Sequence, residues 1–203
     1  MGGLRVLLAS ASPRRRELLA AAGLEFTVGP VPVDESLGEF SDPARAAVEL
    51  ATRKALAAAG ARAARGEEWA VLGADTIVAL ERDGRTQLLG KPQDEREAVQ
   101  MLALLSGTRH EVVTGVCVVR TSDLARWSAC ERTVVSMRPI TPAERAAYVA
   151  SGEWRDKAGG YAIQESADRF VDGLEGGGFD NVVGLPVALS KALLARAGVT
   201  LAP

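Results

Sequence analysis

The sequence predicts an α/β fold. Short apolar runs of strand length alternate with stretches of helical spacing along its 203 residues, and no segment repeats another. Proline, glycine and capping residues mark most of the junctions. The length suits one domain, or two closely joined lobes, with room for a buried core.

Leu4 to Ala9 reads as the first strand. Ser12 stands at a helix N-cap with Pro13 at the first helical position, and the helix runs to about Ala22 with Gly23 closing it. Glu25 to Val28 is a second short strand, and residues 29–40 form an acidic loop. Asp42-Pro43 repeats the cap-and-proline signature and opens a long helix to Gly60. Its alanines favour helix, and base composition accounts for them as well as function does.

Trp69 to Leu80 is a nearly unbroken apolar run, with Asp83-Gly84 as a hairpin turn and Thr86 to Leu89 returning. Asp94 to Leu105 has helical spacing and stops at Gly107. Glu111 to Arg120 and Trp127 to Arg138 are long strands joined across Thr121 to Ala125. Thr141-Pro142-Ala143-Glu144 is a capping box for a helix ending near Gly152. Residues 153–184 read as a glycine-rich irregular stretch holding Tyr161-Ala162-Ile163 as a strand, before a last helix from Pro186 to Ala197.

Composition narrows the function classes. Apolar residues make up 47% and charged residues 25%, with a net charge of -2 and no face-long basic stripe, so no nucleic-acid duplex partner is expected. The apolar run at the N-terminus is too short for a secretory or membrane-spanning segment. Cys117 and Cys130 lie in apolar or alternating stretches without CxxC spacing and read as core residues of a cytoplasmic, reducing environment. One histidine, His110, removes multi-histidine metal sites, so a metal would be held by oxygen, as magnesium or manganese is. After a helix-terminating glycine, His110 itself reads as a structural hydrogen-bonding residue. No GxxxxGK[ST] loop is present, which speaks against a P-loop phosphoryl transferase.

Five places carry candidate chemistry. Arg14 to Arg16 crowd the first turn of a helix, where the dipole disfavours cations. An anion docked on the backbone amides after Ser10 would explain them, and a solvated basic turn is the alternative. Asp75, in Gly73-Ala74-Asp75-Thr76, is a carboxylate inside a buried strand and needs a partner, a proton or a cation. Lys91, between Gly90 and Pro92, and Lys54, on the long helix, are placed either for a phosphate or for solvent. Asp34-Glu35 is a carboxylate pair that either faces the same cleft or lines a solvent loop. Gly159-Gly160 suggests close backbone approach, and Gln164 beyond it offers an amide suited to a base edge.

Taken together, Leu8 to Arg15, Gly73 to Thr76, Gly90-Lys91-Pro92, Leu105-Ser106-Gly107, Asp156 to Tyr161 and Asn181 to Pro186 resemble the Maf family of nucleoside triphosphate pyrophosphatases, in the family's order. The resemblance implies a mixed twisted sheet in two lobes with flanking helices and a central cleft, similar to the inosine triphosphate pyrophosphatases. It implies hydrolysis of a nucleoside triphosphate to the monophosphate and pyrophosphate with a divalent cation. Asp75 would be the proton acceptor; Ser10, Arg15, Glu35, Lys54 and Lys91 would form the phosphate and metal site, with Glu35 and Asp75 on the metal. Arg14, Thr76 and Gln164 match the positions that track specificity and resemble the branch acting on dTTP and UTP, or on modified pyrimidine nucleotides. A homodimer is typical of the family. Thr108-Arg109 departs from the usual order of those two residues, and Gly176-Gly177-Gly178-Phe179 from the usual late loop. The competing class is a nucleotide-binding regulator of cell division without turnover.

Overall fold

A computed structural model describes residues 4–36 and 40–201. In chain order the elements are β1 (Arg5–Leu8), α1 (Pro13–Ala21), β2 (Thr27–Val28), α2 (Pro43–Ala63), β3 (Trp69–Arg82), β4 (Arg85–Leu89), α3 (Glu95–Leu105), β5 (Arg109–Arg120), β6 (Arg126–Met137), α4 (Pro142–Ser151), β7 (Val171–Glu175), α5 (Phe179–Val183) and α6 (Val187–Arg196). The strands form one mixed sheet in the order β2-β1-β3-β5-β6-β7, with β4 also paired to β3. The α/β class is as the sequence predicts, and the mixed sheet is as the resemblance implies.

The long strand β3 organises the molecule by changing partners. It runs parallel to β1 through Trp69–Leu72, and antiparallel to β4 from Val78 onward. Between these stretches, residues 73–77 pair with β5 alone. One flank of the sheet is therefore open over five residues, at the carboxyl end of β1 where α1 begins. Such a switch in strand partners is where open α/β sheets leave a crevice.

Apolar side chains divide along the same line. One cluster joins Leu72, Ala74 and Val116 to Leu19 of α1 and Leu193 and Leu194 of α6. Another joins Val78, Leu80 and Val112 to Leu102 of α3, Tyr148 of α4 and Phe170. The two lobes thus share the continuous strands β3 and β5 and part at the open flank.

Helix α2 crosses the other face of the sheet at very short range. Ala46, Ala47, Ala51, Ala55 and Ala59 are fully buried there, and Gly73 and Gly115 lie beneath them. A methyl group on Gly73 would come within 2.4 Å of the Ala51 carbonyl oxygen, and one on Gly115 within 2.3 Å of the Ala47 backbone. The alanines of α2 are therefore a packing requirement, beyond the helix propensity and base composition named from the sequence. Small residues on both surfaces let the backbones approach closely.

Local signals held at most junctions. Asp42 accepts from the Ala44 amide at 2.9 Å, and Thr141 and Glu144 form the reciprocal capping box. Ser12 occupies the N-cap position of α1, but its side chain makes no capping bond. Tyr161–Ile163 is not a strand. Left-handed backbone at Asp156, Gly159 and Gly160 coils the chain just before it, and the Ala162 amide donates to the Tyr148 hydroxyl instead of to a strand. Within the stretch expected to be irregular, β7 pairs antiparallel with β6 and α5 makes a short turn of helix. Among the described residues no helix is long and apolar enough to cross a membrane.

Candidate active site

A cavity of about 970 Å³ fills the open flank of β3. Ser10, Arg14, Arg15, Glu35, Lys54, Asp75, Thr76, Lys91 and Gln164 all line it. The nine residues given a catalytic, substrate or metal role by the resemblance are therefore on one cleft, gathered from segments up to 154 residues apart (Ser10 to Gln164).

At its centre is a buried ion pair. Asp75 is 8% exposed and Lys54 also 8%, with Lys54 Nζ donating to Asp75 Oδ1 at 2.5 Å. The contact follows from the close approach of α2, which projects Lys54 from the turn between Ala51 and Ala55 onto the face that Gly73 and Asp75 share. Lys54 Nζ also lies 2.9 Å from Glu35 Oε1, and Lys91 Nζ donates to Glu35 Oε2 at 3.2 Å. Carboxylates and ammonium groups alternate from Asp75 to Lys91. Desolvation raises the Glu35 pKa, but hydrogen bonds and charge from Lys54, then Lys91, outweigh it and hold this carboxyl below its usual range. Asp34, the other half of the expected pair, points elsewhere: its carboxylate accepts from the Ser36 amide and hydroxyl at 2.9 Å each.

The arginine turn forms a second polar group. Arg15 donates from Nη1 to Ser10 Oγ at 3.2 Å, from Nη2 to Thr76 Oγ1 at 3.1 Å and from Nε to the Gly184 carbonyl at 2.8 Å. Desolvation lowers its pKa and the Asp75 charge works against that, so the guanidinium remains a cation at any physiological pH. Arg14 donates to the Asp156 carbonyl at 3.1 Å, and Arg16 is exposed away from the cleft.

Asp75 and Thr76 are adjacent on a strand and so point to opposite faces of the sheet. Both reach the cleft because this part of β3 has no neighbour on that flank. Thr76 Oγ1 lies 3.0 Å from Thr114 Oγ1 and 3.5 Å from the Gly184 carbonyl, in addition to receiving Arg15. Its hydroxyl is committed to protein partners, whereas Gln164 is exposed on the cleft wall.

The sequence reading missed what holds Arg15. Asn181 is fully buried, its side-chain amide donating to the Val112 carbonyl at 3.1 Å and to Thr133 Oγ1 at 2.8 Å, while its backbone carbonyl accepts from the Thr114 hydroxyl at 2.9 Å. This fastens the segment that presents the Gly184 carbonyl. The signal was present in the run Asn181 to Pro186, to which no chemistry had been attached. The exchanged Thr108 and Arg109 fall outside the cleft, with Arg109 forming a two-pronged ion pair to Glu175 at 2.9 and 2.7 Å.

His110 is 2% exposed, with Nε2 2.8 Å from the Tyr161 hydroxyl. Its Nδ1 finds no partner among the described residues, and burial depresses the pKa from 6.5 to about 4. The unfolded chain takes up this proton first as pH falls, so the stabilisation is whole above 6.5 and lost between there and about 4. At about 1.4 kcal/mol per unit this amounts to roughly 3 kcal/mol. Denaturant titrations of wild type and His110→Gln should therefore show a stability gap that closes from pH 7.5 to 4.5. Parallel profiles would assign the acid sensitivity to other groups.

Fold and cleft define a class: an α/β protein with a polyanion-sized crevice, six cationic side chains and a buried aspartate–lysine pair at a strand switch point. The chain belongs to the Maf family, since the family model described as Maf-like protein matches residues 5–197. A dTTP/UTP pyrophosphatase of Anaeromyxobacter sp. (strain Fw109-5) is 50% identical over 199 residues, covering 96% of this chain and 90% of that one. Those so named from Moorella thermoacetica and Sphingopyxis alaskensis are 48% and 45% identical, covering 96% and 97% of this chain and 96% and 98% of theirs. A solved nucleoside-triphosphatase / dITP/XTP pyrophosphatase from Mycobacterium abscessus overlays with a TM-score of 0.37 at 17% identity, covering 66% of this chain and 73% of that one. That overlap is too partial to bear on the fold, which rests on the chain's own strand order.

Proposed function

We propose that this protein hydrolyses dTTP and UTP, or modified pyrimidine nucleotides of the same shape, to the monophosphate and pyrophosphate. The observation that carries this reading is the Asp75–Lys54 pair, buried in a cleft whose other side chains suit a polyphosphate. A protein that only bound nucleotide would gain nothing from a buried carboxylate beside the phosphates, since it repels them. The relatives' shared name supplies the substrate class.

In this reading Arg15, Lys54 and Lys91 bind the phosphates, with Ser10 orienting Arg15. Asp75 keeps one carboxylate oxygen outside its bond to Lys54. That oxygen orients a water toward the α-phosphorus and takes its proton as pyrophosphate leaves. Gln164 reads the pyrimidine edge through its amide, and Thr76 contributes to substrate choice by fixing Arg15.

A divalent cation, magnesium or manganese, belongs to the proposal. Glu35 and Asp75 share the Lys54 ammonium at 2.9 and 2.5 Å, so two carboxylates converge on one cationic position. Magnesium is commonly held by one or two carboxylates, with substrate phosphates and water completing its shell. Glu35 and Asp75 would hold the ion, and it would supply neutralisation of charge on the phosphoryl oxygens.

We further infer a cytoplasmic enzyme, working as a homodimer, whose partner is a free nucleotide and neither a nucleic acid nor a membrane. Pyrophosphate release should be measured with magnesium across dTTP, UTP, CTP, ATP and GTP. The expected result is turnover of dTTP and UTP well above the purines, because amide groups placed for one base edge are left unmet by another. A flat profile removes the specificity argument, and binding without release favours a regulator.

A further inference from the structure

Lys157 was given no role by the sequence reading, yet it lines the same cleft with its side chain only 10% exposed. A lysine normally keeps its ammonium in water, because desolvating the charge and freezing the long chain are both costly. The partner that Lys157 has is modest: Glu165 at 3.3 Å, a carboxylate 36% exposed and adjacent to Gln164.

The backbone around it is tightly specified. Asp156 has φ 62, a region that non-glycine residues seldom occupy and that persists where surroundings enforce it. Two cleft segments enforce it here. Arg14 donates to the Asp156 carbonyl at 3.1 Å, and the Gly159 amide donates to the Gly90 carbonyl at 2.9 Å. Lys157 is thus suspended between the arginine turn and the residue preceding Lys91.

We propose that Lys157 is a further substrate-binding residue, whose ammonium exchanges Glu165 for a phosphate oxygen of the bound nucleoside triphosphate. It would bring positive charge from the segment following α4, apart from the group around Asp75. Arg14 acts here as a positioning residue, through the Asp156 carbonyl. The assignment rests on the nucleotide-hydrolase reading above.

The test compares wild type, Lys157→Met and Lys157→Arg for binding of a non-hydrolysable dTTP analogue and of thymidine, by calorimetry and competition, with melting temperature alongside. Losing a charge-assisted hydrogen bond should weaken the triphosphate analogue by about 10- to 100-fold in the methionine variant, and less in the arginine variant. Thymidine affinity should change by less than about twofold, since it carries no phosphate. Equal losses for both ligands, or unchanged triphosphate binding, overturn the assignment. A wild-type protein that binds no triphosphate overturns this inference and the hydrolase reading together. One that binds the analogue but releases no pyrophosphate from dTTP overturns the hydrolase reading alone.

Discussion

Replacing Asp75 by asparagine should abolish pyrophosphate release, lowering kcat by at least about a thousandfold, the upper part of the range for losing a general base. Nucleotide binding should survive. Lys54 would keep its contact with Glu35 at 2.9 Å, and Arg15 its three anchors. Removing a negative charge beside the phosphates also lessens repulsion in the ground state, so affinity for a non-hydrolysable analogue should hold or rise. The amide is nearly isosteric, so the fold should be retained. Near-normal turnover in this variant would take Asp75 out of the chemistry and return the cleft to a binding role. A parallel loss of binding and melting temperature would make Asp75 a structural partner of Lys54 only.

Gly73→Ala should cost both stability and activity, although it adds a single methyl group two residues from Asp75. That methyl would meet the Ala51 carbonyl at 2.4 Å and the Ala55 amide nitrogen at 2.8 Å, both backbone atoms of α2. Neither can step aside as a side chain can, so the helix must move. Overpacking of this kind costs roughly 1–3 kcal/mol, and more where backbone is displaced. For a chain of this length the melting temperature should fall by about 2–12 °C. Lys54 lies in the displaced turn, and a shift of about 1 Å in a positioned group can lower turnover on the order of a hundredfold. Gly115→Ala makes an equally close contact with Ala47, two turns of helix away from Lys54. It should destabilise to a similar degree with a smaller loss of turnover. If both variants lose activity only in proportion to stability, the close approach of α2 serves packing and does not set the position of Lys54.

What the sequence made legible is local. The side chains of Asp42 and Thr141 satisfy backbone amides at helix starts, the prolines after them lack an N–H that would go unpaired there, and the glycines at positions 23 and 152 take the left-handed backbone that ends a helix. The nearly unbroken apolar run of β3 announced a buried strand, and the aspartate within it was conspicuous for the same reason. The strand expected at Tyr161–Ile163 was a misreading of buried irregular chain, since three apolar residues carry no period. β7 was missed because its pairing partner β6 lies 34 or more residues upstream and its own residues are only half buried (Val171 to Met137, for example).

By itself, then, the sequence determined the alternation of elements, the α/β class and the residue types that gather where charge is needed. Only the tertiary structure decided which of them share a wall of the cleft. Asp34 and Glu35 are neighbours in the chain, yet one caps a turn and the other faces two lysines. Thr76 was expected to track specificity, and its hydroxyl is held by Arg15 and Thr114. Lys157 drew no reading of its own and is nearly buried beside Glu165. The physical reason is range. Capping and periodicity act over a few residues, whereas the gap in β3 exists because its pairing with β1 ends at Leu72 and its pairing with β4 begins at Val78. That gap, and the alanine-lined approach of α2 that delivers Lys54 to Asp75, arise from strand pairing and helix packing between segments far apart in the chain.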